Sequence, residues 1–100
     1  MEKITISKFD PLDFLKNEHD YNDALRAAFE EDPGDGSLIA KTIGLIAKAK
    51  GMSKVSNETG LARESLYKAL SGEGNPEFRT ICKVFKALGF NLTFTQATHT

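Results

Sequence analysis

The sequence predicts a mainly α fold, a bundle of about five to six helices with short β-strands at its N- and C-terminal ends. Three observations predict it. Apolar residues recur at three-and-four spacing in several separate stretches. Glycines, prolines and short polar residues stand at the ends of those stretches, where helices start and stop. Alternation of apolar and polar residues, the mark of a half-buried strand, is confined to the two ends of the chain.

Taken in order, Ile4, Ile6 and Phe9 alternate with polar residues and read as a short strand. Asp10 and Pro11 suit the N-cap and first position of a helical turn that carries Leu12 and Leu15. From about Glu18 to Glu31, Tyr21, Leu25, Ala28 and Phe29 form one apolar stripe opposite a strongly acidic face. The stretch DPGDG, Asp32 to Gly36, ends that helix, because proline cannot continue it and the glycines permit positive φ. Ser37 is the expected cap of the next helix, with Leu38, Ile39, Thr42, Ile43, Ile46 and Ala47 on its apolar face and Gly51 as its stop. Ser53 is the expected cap of a short helix from Lys54 to Thr59, Gly60 breaks it, and periodicity restarts from Ala62 to Leu70 before Ser71, Gly72 and Gly74. Asn75 and Pro76 mark a further helix start, followed by Phe78, Ile81, Cys82, Phe85 and Leu88 at helical spacing up to Gly89. Asn91 to Gln96, with Leu92 and Phe94 alternating, reads as the second short strand.

The 100 residues, 40% hydrophobic and 27% charged, suit one ordinary small domain. Within it the expected division is an acidic N-terminal extension, 1–36, packed on a second unit, 37–96. Charge supports the division: residues 1–36 carry 4 Lys/Arg against 10 Asp/Glu, net −6, whereas 37–100 carry 9 against 4, net +5. A basic half can face phosphates while the acidic half faces another partner. The start MEKITISKFD lacks the apolar run of a signal peptide or membrane span, and Cys82 stands alone, so a reducing, cytoplasmic setting without membrane contact is expected.

The informative stretch is Met52 to Gly72, MSKVSNETGLARESLYKALSG. It reads as a helix-turn-helix. Val55 and Leu61 give apolar contact about the turn, Ser56 is the small residue facing the crossing helix, Gly60 is the turn residue, and Leu66, Ala69 and Leu70 seat the second helix. The 100° step then leaves Arg63, Glu64, Tyr67 and Lys68 outward as candidate base contacts on double-stranded DNA. Arg63 and Lys68 donate to guanine edges or phosphates, Glu64 accepts from cytosine N4, and Tyr67 offers a hydroxyl or a ring. Ser53, Lys54, Ser71 and Asn75, at helix ends, are the candidate phosphate contacts, although Ser53 and Asn75 also suit capping; Lys83 and Lys86 would extend the grip.

The arrangement from Ser37 to Leu88 resembles the lambda-repressor/Cro-like helix-turn-helix domain. More narrowly, GLARESLYKALSGEGNPEF, followed by KALGF and NLTF, resembles the addiction-module antidote proteins related to the HigA antitoxins, over about residues 9 to 95. The resemblance implies a homodimeric antitoxin that represses its own operon and neutralises a RelE/HigB-like ribonuclease encoded beside it. Against that pattern, Ala62 replaces the usual Ser or Thr cap of the recognition helix, Ser56 replaces an alanine, and Lys54 stands where a glutamine often touches phosphate. The acidic residues before Gly36 would complement a basic toxin. The implied dimer would place two recognition helices in successive major grooves of an operator, with dimer contacts from the terminal helix and the strand around Leu92 and Phe94.

Other chemistries find little to work with. His19 and His99 are isolated, Cys82 falls on an apolar stripe, and no Cys-x-x-Cys or His-x-x-x-His pair occurs, so no metal or cofactor is expected. The acidic run Asp20 to Asp32 has neither a histidine partner nor a calcium-loop pattern, and no catalytic residue is assigned. Gly72, Gly74 and Asn75 lack the Lys-Ser/Thr ending of a phosphate loop. The expectation is therefore a DNA-binding repressor and antitoxin rather than an enzyme. The competing readings are a stand-alone prophage-type repressor and a protein-interaction module that does not bind DNA.

Overall fold

The computed structural model describes residues 11–98. Among them lie a 3-10 turn, Pro11–Phe14, and five α-helices: α1 (Glu18–Glu31), α2 (Ser37–Lys50), α3 (Met52–Thr59), α4 (Arg63–Ala69) and α5 (Phe78–Ala87). The mainly α expectation holds. The strand expected over Ile4 to Phe9 lies outside the described residues. The strand expected over Asn91 to Gln96 is not formed: residues 90–98 carry no regular secondary structure. A strand is defined by its pairing, and no partner segment lies beside this one among the described residues.

Each helix is shaped by local chemistry. Asn17 caps α1, its side-chain oxygen accepting the Asp20 N–H at 2.9 Å, and Glu18 and Asp20 suit the positive end of the helix dipole. Tyr21, Leu25 and Ala28 are buried as their spacing predicts, but Phe29 is 48% exposed. Phe29 sits at the edge of the stripe, where its ring meets the Phe85 ring edge-on at 6.2 Å.

The cap of α2 differs from the expected one. Ser37 is the first helical residue, Gly36 precedes it with φ 80°, and no side chain of either caps the helix. Asp32 does so from four residues farther back. Its Oδ2 accepts the N–H groups of Gly34 and Gly36, each at 2.8 Å, and its Oδ1 accepts those of Leu38 at 2.9 Å and Ile39 at 3.2 Å. Loss of hydration pushes the Asp32 pKa up, yet the four backbone donors outweigh it and hold the carboxyl below the ordinary 3.8. The DPGDG turn thus folds around one carboxylate that serves both the turn and the helix.

α2 is the hub of the bundle, touching the 3-10 turn and every other helix. Ile43, Ile46 and Ala47 on α2, Leu66 on α4 and Val84 on α5 are completely excluded from solvent, and Leu15, Tyr21 and Leu25 join the same core. Each such Leu, Ile or Val contributes roughly 1.5–3 kcal/mol relative to its exposed state. Lys50 closes the C-terminal end of α2. Its Nζ donates to the Leu88 carbonyl at 2.9 Å, pairs with Glu18 at 2.9 Å and lies 5.4 Å from the Tyr21 ring centroid, so one side chain ties α1, α2 and the end of α5 together.

Two further helix starts are displaced from their sequence expectation. α3 begins at Met52 behind Gly51, so Ser53 lies in the first turn and does not cap. α5 begins at Phe78 with Glu77 at the N-cap, so Asn75 does not cap either, and Phe78, expected in the apolar stripe, is 72% exposed. Buried Met52 explains the first shift, because burying it carries helical geometry one residue past the serine. For the second, Glu77 takes the extended N-cap geometry, φ −68° and ψ 150°, so the helix does not reach back to Pro76.

Candidate nucleic-acid interface

α3 and α4 are joined by three residues, Gly60, Leu61 and Ala62. Gly60 takes φ 76°, the left-handed region that favours glycine, and ends α3 through its N–H to the Ser56 carbonyl at 2.9 Å. Two α3 side chains then fix the turn. The Ser56 hydroxyl donates to the Leu61 carbonyl at 2.5 Å, while the Thr59 hydroxyl donates to the Val55 carbonyl at 2.8 Å and accepts the Leu61 N–H at 3.2 Å. Serine at position 56 therefore has a task that alanine would not perform, since the Leu61 carbonyl turns back onto it.

α4 is anchored from beneath by Leu66 and Leu70, 0% and 4% exposed. Arg63, Glu64, Tyr67 and Lys68 are all exposed, within an arc of about 140° at 100° per residue whose Arg63 edge adjoins the buried side. The structure brings these four together on one surface. Among the described residues none forms an ion pair with Arg63, Glu64 or Lys68. Arg63 stands at the first helical position behind Ala62, whose φ −66° and ψ 146° are those of an N-cap without a side chain to cap. The N–H groups of the first turn of α4 are thus left without a side-chain cap.

The phosphate candidates divide. Ser53 and Lys54 are exposed in the first turn of α3, and Asn75 borders the same small hollow as Ser65 and Lys68, beside the outward face of α4. Neither Ser53 nor Asn75 caps a helix through its side chain. Ser71 is committed to its turn, donating to the Lys68 carbonyl at 3.2 Å and accepting the Glu73 N–H at 3.2 Å. Lys83 and Lys86 are exposed on α5, which packs mainly on α3 and α2.

Sequence reasoning missed Lys41 and Lys48. Both are exposed on α2 and line, with Met52, Tyr67 and Leu70, the groove between α2 and α4. Their seven-residue spacing puts them on one helix face, but does not say which neighbour that face meets. Leu45 lines this groove too, and with Thr42 it also borders a hollow that holds Asp20 and Asp23 of α1.

Among the described residues no group of three or more His, Cys, Asp or Glu side chains forms a metal site, and no helix is long and apolar enough to cross a membrane. Over residues 5–96 the chain matches the family described as probable addiction module antidote protein. It is also similar to an uncharacterized protein of Haemophilus influenzae (strain Rd), 43% identical over 89 residues, which span 89% of this chain and 88% of that one. No solved structure matches the chain. The family match runs from before α1, through the α3–α4 pair, to the irregular segment after α5, and on that coverage the chain belongs to the probable addiction module antidote protein family.

Proposed function

We propose that the protein is a sequence-specific DNA-binding repressor of the lambda-repressor-like helix-turn-helix type and the antitoxin of a type II toxin–antitoxin module. The observation that carries the DNA reading is the outward face of α4: Arg63, Tyr67 and Lys68 exposed together on a short helix whose opposite side is locked into the core. A merely structural helix has no need of two unpaired cations there. Glu64 adds the acceptor that cytosine requires. Ser53, Lys54 and Asn75 supply neutral and charged phosphate contacts around it. A homodimer presents two such helices to successive major grooves, roughly 34 Å apart.

Family membership supports a toxin as the second partner, and a RelE/HigB-like ribonuclease is the proposed kind. The acidic exposed side of α1, with Asp23, Glu30 and Glu31, is the proposed contact for its basic RNA-binding surface. In this reading the antitoxin represses its own operon, in the cytoplasm, through one face and meets the toxin through another.

The test is a titration of the chain against a duplex from its own promoter and a scrambled duplex. The parent should prefer the promoter, and Arg63→Ala/Lys68→Ala should lose that preference, at roughly 1–3 kcal/mol per true base contact. Equal weak binding of the parent to both duplexes would replace this reading with an interaction module. A Glu30→Lys/Glu31→Lys variant should release the adjacent-gene toxin while keeping promoter binding.

A further inference from the structure

We infer that Lys41 and Lys48 of α2 form a phosphate-binding row beside the recognition helix, taking the phosphodiester backbone of the duplex. The inference rests on the DNA-binding reading of α4 and extends it to a helix with no base-reading role.

The placement comes from an unusually close approach of α2 to the end of α4. Gly44 lies midway between the two lysines, and a β-carbon there would stand 2.5 Å from the Leu70 carbonyl oxygen and 3.1 Å from the Leu70 β-carbon. Positions 41, 44 and 48 fall within about 60° of one another around the helix. The face that presses on Leu70 is therefore the face that carries Lys41 and Lys48. Gly72, two residues beyond Leu70, points its missing side chain at Lys41: a β-carbon there would meet the Lys41 stem at 3.3 to 3.6 Å. The Lys41 stem is thus laid along the loop that leaves α4. Lys48 borders the same groove as Met52 and Tyr67, and Met52 leads into Ser53 and Lys54 at the start of α3.

Both lysines are exposed and, among the described residues, neither has an ion-pair partner, so their charges are free to act outward. Lysine is a flexible point charge, suited to phosphate rather than to paired hydrogen bonds with a base edge. A helix lying in a major groove has a phosphate strand along its side, and Lys41 and Lys48 line the groove beside α4. Its role is to add affinity and to fix how far α4 enters the groove, without choosing sequence.

Salt dependence separates this role from base reading. Binding of the full-length parent, Lys41→Ala/Lys48→Ala, Lys41→Arg/Lys48→Arg and Arg63→Ala/Lys68→Ala to promoter and scrambled duplexes would be measured by fluorescence anisotropy at several salt concentrations. Thermal unfolding of each variant would confirm an intact fold. Loss of two phosphate contacts should reduce the slope of log K against log salt by roughly 1.8. The parent then loses roughly tenfold more affinity than Lys41→Ala/Lys48→Ala between 50 and 200 mM salt. The ratio of promoter to scrambled affinity should stay at the parental value, and the arginine pair should restore the slope. An unchanged slope in the alanine pair, with the parent still preferring its promoter, would sink this inference alone. A parent that binds neither duplex, or both equally, would sink the DNA reading and the base-reading role of α4 with it.

Discussion

Gly44 and Leu70 touch so closely that the α2 backbone has no room for a β-carbon: one built at Gly44 would lie 2.5 Å from the Leu70 carbonyl oxygen. Two effects oppose each other when alanine is placed there. Helix propensity favours alanine over glycine by about 1 kcal/mol in a helix interior. The clash is with backbone at the end of α4, which can yield only by moving the helix, and overpacking of this kind costs about 1–3 kcal/mol. Gly44→Ala should therefore lower the urea midpoint, and it should weaken promoter binding because α4 is displaced from its seat. Unchanged stability and affinity would show that α4 is free to slide.

Asp32 sets the pH dependence. Its carboxyl is held below the ordinary 3.8 by the Gly34, Gly36, Leu38 and Ile39 N–H groups, against the upward push of lost hydration. Asp35 is lowered as well, first by the Ser37 hydroxyl and then by the Ser37 N–H. A carboxylate whose folded pKa lies below its unfolded value stabilises the fold above the unfolded pKa and loses that contribution as pH falls through the folded one. The parent should thus lose stability as pH drops below about 4, the ordinary carboxylate range. Asp32→Ala should melt lower at pH 7 and lose less on acidification, so the two melting curves draw together as pH falls through the folded pKa of Asp32. Parallel curves would place the acid sensitivity elsewhere.

Lys50 has three partners, and their magnitudes rank them. Glu18 is 71% exposed, so its ion pair is worth at most about 1 kcal/mol, commonly less. The bond to the Leu88 carbonyl is half-buried and charge-assisted, the class worth about 1.5–3 kcal/mol, and it neutralises the carbonyl end of α5. Lys50→Ala should consequently cost about 1–3 kcal/mol in urea unfolding, and Glu18→Ala less than about 1. Equal costs for the two would mean that the ion pair, not the carbonyl, holds the helices together.

How much of this was legible in the sequence follows the range of the forces involved. Apolar periodicity located every helix, because burial of Tyr21, Ile43, Leu66 and Val84 depends on spacing along the chain. The outward set Arg63, Glu64, Tyr67 and Lys68 followed from the same spacing. What failed was local competition at the ends. Ser37 looked like the cap of α2 until Asp32 reached across the turn to take its N–H groups, and Asn75 looked like the cap of α5 until the helix started at Phe78. Phe29 and Phe78 have apolar spacing but lie at stripe edges that the described chain does not cover. Lys41 and Lys48 could not be placed beside α4 from sequence, because their position depends on the Gly44–Leu70 approach, a contact between distant parts of the chain.

Ala62 is the position where one substitution should improve the protein. Its backbone, φ −66° and ψ 146°, already has the extended geometry of an N-cap, and its carbonyl accepts the Leu66 N–H at 3.0 Å. Only the side-chain oxygen is missing. Ala62 is exposed, so a hydroxyl there displaces no packing and loses no hydration. Ala62→Ser should gain about 1 kcal/mol, the usual difference between alanine and a capping residue. For a domain of this size that raises Tm by roughly 4–8 °C. Promoter binding can move either way, and the direction is informative. If phosphate uses the free N–H groups of the first turn of α4, the new hydroxyl competes with it, and affinity falls while Tm rises. If those groups face only water, a firmer first turn holds Arg63 in place and affinity rises with Tm. A variant with no gain in Tm would show that the turn pinned by Ser56 and Thr59 already orders the start of α4 completely.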